Sequence, residues 1–228
     1  MSDERMLELP VVVKCLRDAA VRAARLAAVD EPQVAPLNAF VRQLRAEMGS
    51  DHAIPYFDPS DGGVGASLLH LLEAPGPRAV ASGFVSRDNP DETAKNFLLL
   101  NREAGIDRRD TVIWNIVPWY IGSGRKIRAA RGADVTAGMA HLERLLGLLP
   151  ELRSVVFLGT HAAKAAPLFD RLRPQVRRFA VPHPSPVFVN RAPGNRARIL
   201  RELRVVAATL VSSSEKPVLD APSSSLFE

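Results

Sequence analysis

Short apolar runs alternate with amphipathic stretches along most of this chain. The clearest run, 111–119, is apolar on both faces and β-branched, which is typical of a central, buried strand of a parallel sheet. Other apolar runs predict strands at 53–57, 78–84, 154–159 and 176–181. Helical spacing predicts helices over 8–30, 36–48, 91–104, 134–149, 160–172 and 195–211, with a helical turn or two at 66–72. This alternation favours βαβ units, and therefore an α/β fold around a mainly parallel sheet.

The 228 residues suit one good-sized domain. We expect it to span 1–211, with 1–50 forming N-terminal helices, and we expect the Ser/Pro-rich stretch 212–228 to be a disordered tail. The acidic start differs from a signal peptide, and no apolar run approaches ~18 residues. We therefore expect a soluble, cytoplasmic protein without membrane contact, associated with the nucleoid if it is bacterial.

Charge and cysteine content narrow the function classes. The net charge of +5 and pI near 9.9 favour a polyanionic partner. The single Cys15 excludes an internal disulfide framework and any all-cysteine metal or iron–sulfur site, and it fits a reducing compartment. The stretch 122–126 lacks the spacing of a phosphate-binding Walker loop.

The loop Val181-Pro182-His183-Pro184-Ser185-Pro186-Val187 is the most distinctive stretch. Each proline fixes its φ and removes a backbone donor, so the loop is stiff and holds one imidazole in place after an apolar run. His183 can donate a hydrogen bond to an oxygen that becomes negative. The remaining histidines show no ligand spacing and are interpreted as structural or exposed: His52, His70, His141 and His161.

Three further residues fall near the ends of predicted strands, where open α/β sheets bind ligands. Asp58 opens a glycine-rich loop and could orient a water or stabilise a developing cation. Asn115 offers a donor and an acceptor that match the edge of a pyrimidine, and Phe84 could stack on a flat ligand. Plainer interpretations stay open: Asp58 could cap a turn, Asn115 could be a core amide, and Phe57 or Trp119 could supply the stack.

His183-Pro184-Ser185-Pro186, with Asp58-Pro59 after a strand and Asn115 in a buried strand between them, resembles the uracil-DNA glycosylase superfamily from about Ala53 to Leu210. The resemblance implies a three-layer α/β/α sandwich with a mainly parallel four-stranded central sheet. It also implies a monomeric, monofunctional DNA N-glycosylase of base-excision repair. Such an enzyme flips a damaged base out of DNA and hydrolyses its N-glycosidic bond without metal or cofactor.

The resemblance also implies roles for individual residues. Asp58 would position the water or stabilise the oxocarbenium-like sugar, and His183 would stabilise negative charge on O2 of the leaving base. Asn115 would read the Watson–Crick edge. The base pocket would further involve Phe84, Phe57 and Ser60. On the DNA side, Val187 would be the wedge in the minor groove, unless it simply packs. Phosphates would be held by Ser185, Arg125, Lys126 and Arg191.

One departure from the family pattern concerns the substrate. The uracil-specific branch has Gln-Asp-Pro-Tyr in its first motif, and its tyrosine blocks the methyl group of thymine, whereas this chain has Phe57-Asp58-Pro59-Ser60. Ser60 is too small for that task, so we expect a broader or shifted range that includes uracil and other deaminated or bulky bases. Two other function classes stay open: a damaged- or single-stranded-DNA binding protein without excision, and a hydrolase of free nucleosides.

Overall fold

The structure, a computed structural model, describes residues 11–123 and 126–211. In chain order its strands are β1 (Tyr56–Phe57), β2 (Leu68–Leu72), β3 (Phe84–Val85), β4 (Thr111–Asn115), β5 (Gly122–Ser123), β6 (Lys126–Ile127), β7 (Ser154–Leu158) and β8 (Arg177–Val181). Its α-helices are α1 (Ala19–Ala27), α2 (Ala35–Met48), α3 (Pro77–Ser82), α4 (Glu92–Glu103), α5 (Gly132–Gly147), α6 (Ala166–Leu172), α7 (Pro186–Val189) and α8 (Asn195–Val211). Short 3-10 turns lie at Cys15–Arg17, Gly63–Gly65, Arg108–Asp110 and Ala162–Ala165.

Four strands form one parallel sheet in the order β4-β2-β7-β8. The central strand β2 pairs Leu72 with Asn115 of β4 on one side and Leu71 with Phe157 of β7 on the other. Because all four strands run in one direction, their carboxyl ends meet at one edge of the sheet. The expected α/β fold with a four-stranded parallel sheet is confirmed.

Helices cover both faces of this sheet. Alternate side chains of the strands point to opposite faces, so Leu69, Leu71 and Trp114 join the core formed with α2, α5 and α6. Leu68, Ile113 and other inward residues of the second face join a core formed with α4 and α8. The result is a three-layer sandwich in which every strand except the outer β8 is buried along its whole length or nearly so.

Two predictions around the sheet were wrong. Residues 66–72 were predicted to form helical turns, yet they contain β2, the central strand. Leucine has a high helix propensity, but burial between two neighbouring strands overrides it. Residues 78–84 were predicted to form a strand, yet most of them form α3, which has Pro77 in its first turn and Gly83 with φ 85° at its end.

Other boundaries also differ from the prediction. The run 53–57 contributes only β1, which pairs with β3 outside the main sheet. The strand predicted over 111–119 ends at Asn115, and it lies at an edge of the sheet instead of at its centre. The helix predicted over 8–30 shrinks to α1, which begins after the capping side chain of Asp18. The stretch 212–228 lies outside the described residues.

The glycine-rich loop after β1 serves packing between backbone segments. A Cβ on Gly62 would come 1.9 Å from the carbonyl oxygen of Arg109, and one on Gly63 would come equally close to that of Gln33, at 1.9 Å. The N–H of Gly62 donates to the carbonyl of Thr111 at 2.8 Å. These glycines therefore let the loop pack closely against the start of β4 and against the backbone of Gln33. Within 11–123 and 126–211, the structure has no helix with the length and apolarity needed to span a bilayer.

Candidate active site

A cavity of about 530 Å³ opens at the carboxyl ends of β2 and β4. Asn115 and His183 both line it, so the structure brings together two of the predicted site residues. The segment 72–79, which follows the central strand, forms a large part of its wall. This is the edge of the sheet at which open α/β folds bind ligands.

Glu73 is the first residue after β2 and lines the cavity. The backbone N–H of Ala130 donates to Oε1 of Glu73 at 2.6 Å, and Nδ1 of His161 lies 4.0 Å from the same oxygen. The carbonyl of Glu73 accepts from the N–H of Val117 at 2.9 Å, just beyond Asn115. The carboxylate is thus held by the Ala130 N–H and the backbone by Val117, while the side chain keeps 30% of its surface exposed.

His183 lies on the loop after β8, the outer strand opposite β4, and reaches the cavity from there. Nδ2 of Asn96 on α4 donates to the carbonyl of Pro184 at 3.1 Å and fixes this loop. Burial lowers the pKa of His183 below its usual value, although the nearby Glu73 carboxylate opposes the shift. The imidazole is therefore neutral near pH 7, with one ring N–H to donate.

Asn115 ends β4 level with Leu72 and is 3% exposed. Its position at the last residue of a buried strand explains how an amide comes to face the cavity. The N–H of Ile116, the next residue, donates to the carbonyl of Leu72 at 2.8 Å, which extends the parallel pairing beyond the strand. The Asn115 amide therefore projects from a rigid part of the sheet.

Asp58 does not line the cavity. It is 1% exposed and forms ion pairs with Arg25 and with Arg108, the latter at 2.7 Å. The Ser86 hydroxyl also donates to its carboxylate, and the N–H of Ser60 donates to Oδ1 at 2.9 Å. Burial by itself would raise the pKa of Asp58, but the two guanidinium groups outweigh burial and hold that pKa below its usual value.

The Asp58 carboxylate belongs to a larger buried ion network. Arg108 also pairs with Asp61 at 2.8 Å and with Asp88 at 2.7 Å, and Arg87 lies 3.7 Å from Asp61. Burial raises the pKa of Asp61 to about 6 against the pull of these arginines. The loop 86–89 separates the network from the cavity: its Ser86 and Asn89 line the cavity, and Ser86 also bonds to Asp58. Asp58 therefore supports the cavity wall through Ser86.

The predicted stacking residues lie in the core and outside the cavity wall. Phe57 stacks on Trp114 with ring centroids 4.3 Å apart, and Phe84 packs near Tyr56 at 6.5 Å. Trp119 contacts His52 edge-on at 5.7 Å. The described aromatic side chain that does line the cavity is Phe97, on α4. Ser60 lies outside the wall as well, so its size does not bear on the cavity.

The predicted DNA contacts are distributed around the His183 loop and the β5–β6 hairpin. Ser185 caps α7, accepting from the N–H of Phe188 at 3.3 Å, and Val187 is 80% exposed. Arg191 is exposed. Lys126 begins β6, and Arg125 lies outside the described residues. The phosphate and wedge roles of these residues stay predictions.

Sequence reasoning missed Glu73, Ser86 and Phe97. A signal for Glu73 was present, since it follows the largely apolar run Leu68–Leu72 and precedes Ala74-Pro75-Gly76-Pro77. Reading 68–72 as a strand would have placed that acid at the carboxyl end of the sheet. Nothing in the local sequence marks Ser86 or Phe97. In the described parts of the chain, no three His, Cys, Asp or Glu side chains are grouped so as to hold a metal ion.

The cavity, with an amide and a neutral histidine at the carboxyl edge of a four-stranded parallel sheet, places the chain among the α/β proteins that bind ligands at this edge. The model of the uracil DNA glycosylase superfamily matches residues 40–204, and the chain belongs to that superfamily. The match supports a DNA glycosylase in general terms, with DNA as its substrate. No curated protein matches the chain in sequence.

Two solved structures are similar to the chain, and one of them supports the fold. SMUG2 from Pedobacter heparinus aligns with a TM-score of 0.52 and 12% identity, covering 76% of this chain and 83% of that one. A candidate uracil DNA glycosylase from Methanosarcina acetivorans aligns with a TM-score of 0.43 and 15% identity, covering 63% of this chain and 92% of that one. The first of these supports the shared fold, and the second is too distant to add to the argument.

Proposed function

We propose that the protein is a monofunctional DNA glycosylase of base-excision repair that removes uracil and other deaminated bases. The observation that carries this proposal is the convergence of Asn115, His183 and Glu73 on one cavity at the carboxyl edge of the sheet. An amide reader, a neutral hydrogen-bond donor and a carboxylate are the groups that hydrolytic release of a pyrimidine-like base needs.

In the proposed reaction the three groups have separate tasks. Asn115 hydrogen-bonds the Watson–Crick edge of the flipped base. His183 donates its N–H to O2 of the base, which becomes negative as the N-glycosidic bond breaks. Glu73 takes the task that the sequence suggested for Asp58: it orients a water toward C1′ and stabilises the positive sugar. Both oxygens of Asp58 are engaged in the ion network, which favours this reassignment.

The shape of the cavity supports a substrate range wider than uracil. The wall after β2 consists of Ala74, Pro75, Gly76 and Pro77, and Phe97 is the aromatic group among the described lining residues. The lining residues that the structure describes therefore include no tyrosine that could reject a 5-methyl group or a larger base. Rates on duplexes that carry uracil, thymine, hypoxanthine or xanthine test this point, and strict preference for uracil would contradict it.

The central experiment follows alkali-labile cleavage of end-labelled DNA carrying one uracil, in the presence of EDTA. We expect product from the wild type, and a loss of at least about a hundredfold in kcat for Glu73→Gln and His183→Ala, the order found when an acid–base group is removed. Glu103→Gln is the matched control, because that acid is exposed on α4 and pairs with Arg196. DNA binding without product would instead indicate a binding protein, and turnover of free nucleosides alone would indicate a nucleoside hydrolase.

A further inference from the structure

The β5–β6 hairpin places one isoleucine at the mouth of the cavity. Ile127 ends β6, opposite Gly122 in the antiparallel pair, and it lines the cavity. Its side chain nevertheless remains 45% exposed. The other large apolar residues exposed to this extent in the described part of the chain lie outside the cavity wall: Val12, Leu26, Val187 and Val205.

The backbone after Ile127 is anchored at two points. Arg128 forms a two-pronged ion pair with Asp134 at the start of α5, with distances of 2.6 and 2.9 Å. Two residues further on, the N–H of Ala130 donates to Glu73 at 2.6 Å. Ile127 is therefore an apolar group on an anchored segment that lines the cavity together with Glu73, and nearly half of its surface faces solvent.

The surroundings of Ile127 suit a nucleic acid. Arg78 lines the same cavity and is exposed, so it places a positive charge at the mouth that can contact a phosphate, whereas Arg128 is already paired with Asp134. The hairpin follows β4, one outer strand of the sheet, whereas the loop with Val187 follows β8, the other outer strand. Apolar side chains thus flank the site on two segments that reach it from opposite edges of the sheet.

We propose that Ile127 is a wedge that inserts beside the flipped base and fills the space this base leaves in the duplex. The inference rests on the proposed function and assigns the hairpin a task separate from catalysis. A wedge offsets the loss of base stacking when a duplex opens, and such wedges are apolar side chains. A single-stranded substrate has little stacking to replace, so Ile127 matters for duplex DNA.

The experiment compares excision of uracil from duplex and from single-stranded DNA. Ile127→Ala is expected to lower the ratio of duplex to single-strand kcat/KM about tenfold, the order seen when a central interface side chain is truncated. Ile127→Phe keeps an apolar wedge and is expected to retain most of that ratio. Val205→Ala is the matched control: it truncates an apolar residue of α8 that is exposed to a similar degree, at 54%, and its ratio should equal that of the wild type.

Failure of the inference and failure of the proposed function give different results. Absence of excision from both duplex and single-stranded DNA by the wild type would contradict the proposed function. Excision with the same ratio in Ile127→Ala and Val205→Ala would overturn the wedge, as would a loss in Val187→Ala alone. The fluorescence of 2-aminopurine placed beside the lesion increases when the neighbouring base is extruded, and so it measures extrusion without cleavage. For Ile127→Ala, most of this increase in fluorescence should be lost.

Discussion

Gly159 and His183 are in contact: a Cβ placed on Gly159 would lie 3.4 Å from Cβ of the histidine. Gly159 follows β7 directly and has φ 91°, and its N–H donates to the carbonyl of Val181 at 3.0 Å. The glycine thus joins the end of one strand to the loop that carries the imidazole. This contact ties the position of His183 to the sheet.

Gly159→Ala should therefore reduce both stability and activity. A non-glycine residue at this φ is strained by about 1–3 kcal/mol, and relief of that strain would move the backbone against His183. Chemical denaturation gives the stability change, and excision kinetics give the fall in kcat. Gly147→Ala is the control, because its Cβ meets nothing within 4 Å at the end of α5. Helix propensity predicts that this control gains up to about 1 kcal/mol.

Asp58→Asn should destabilise the fold by about 1.5–3 kcal/mol at pH 7, because it removes the charge-assisted bonds of a buried carboxylate to Arg25 and Arg108. Both arginines keep an ion pair with Asp88, which limits the loss. The pKa of Asp58 is lowered in the folded protein, so its contribution is present above the ordinary aspartate range and is lost as pH falls through the folded value. Urea titrations at several pH values should show wild type and variant converging below about pH 4.

Asp30→Asn serves as the control for Asp58→Asn. Asp30 pairs with Arg42 at 2.7 Å, but both side chains are exposed, with 66% and 43% of their surface accessible. An exposed ion pair contributes less than about 1 kcal/mol. Equal effects of the two substitutions would show that the buried network adds no more than a surface pair.

His183 should make stability depend on pH near neutrality. Its pKa is lowered on folding, so the unfolded chain binds more protons as pH falls through about 6.5, and the folded state loses stability. Between pH 7.5 and 5 the free energy of unfolding should therefore fall more steeply for the wild type than for His183→Asn, by up to about 1 kcal/mol. His70 is buried in both proteins and cancels in the comparison. If the free energy of unfolding varied with pH in the same way in both proteins, the pKa of His183 would not be lowered by folding.

Gly138→Ala should be among the most damaging substitutions in α5. A Cβ there would lie 1.9 Å from the carbonyl oxygen of Ile116, the residue after Asn115. The helix would have to move away from the sheet, so we expect a loss of about 2–4 kcal/mol and weaker recognition of the base. Denaturation and the KM for uracil-containing DNA measure these two effects. Gly147→Ala again provides the control on the same helix.

The sequence predicted the strands with β-branched residues and the stiff histidine loop. It predicted β4, β7, β8 and His183 because their signals are local: apolar runs and prolines. It mistook β2 for helical turns, since leucines fit both structures and only the neighbouring strands decide. That error hid Glu73 and shifted attention to Asp58. The partners of Asp58 could not be foreseen, because Arg25 and Arg108 are 33 and 50 residues away in the chain.

Arg25 has a consequence for where the working unit begins. It lies on α1, ahead of the residues 40–204 that match the superfamily, yet its guanidinium pairs with Asp58 in the interior. A protein cut back to the matched residues would keep the sheet, the cavity and all three proposed catalytic groups. It would also keep Asp58 and Asp88 in the interior with one cation fewer to neutralise them. Any minimal version of this enzyme therefore has to include the helix that the family match leaves out.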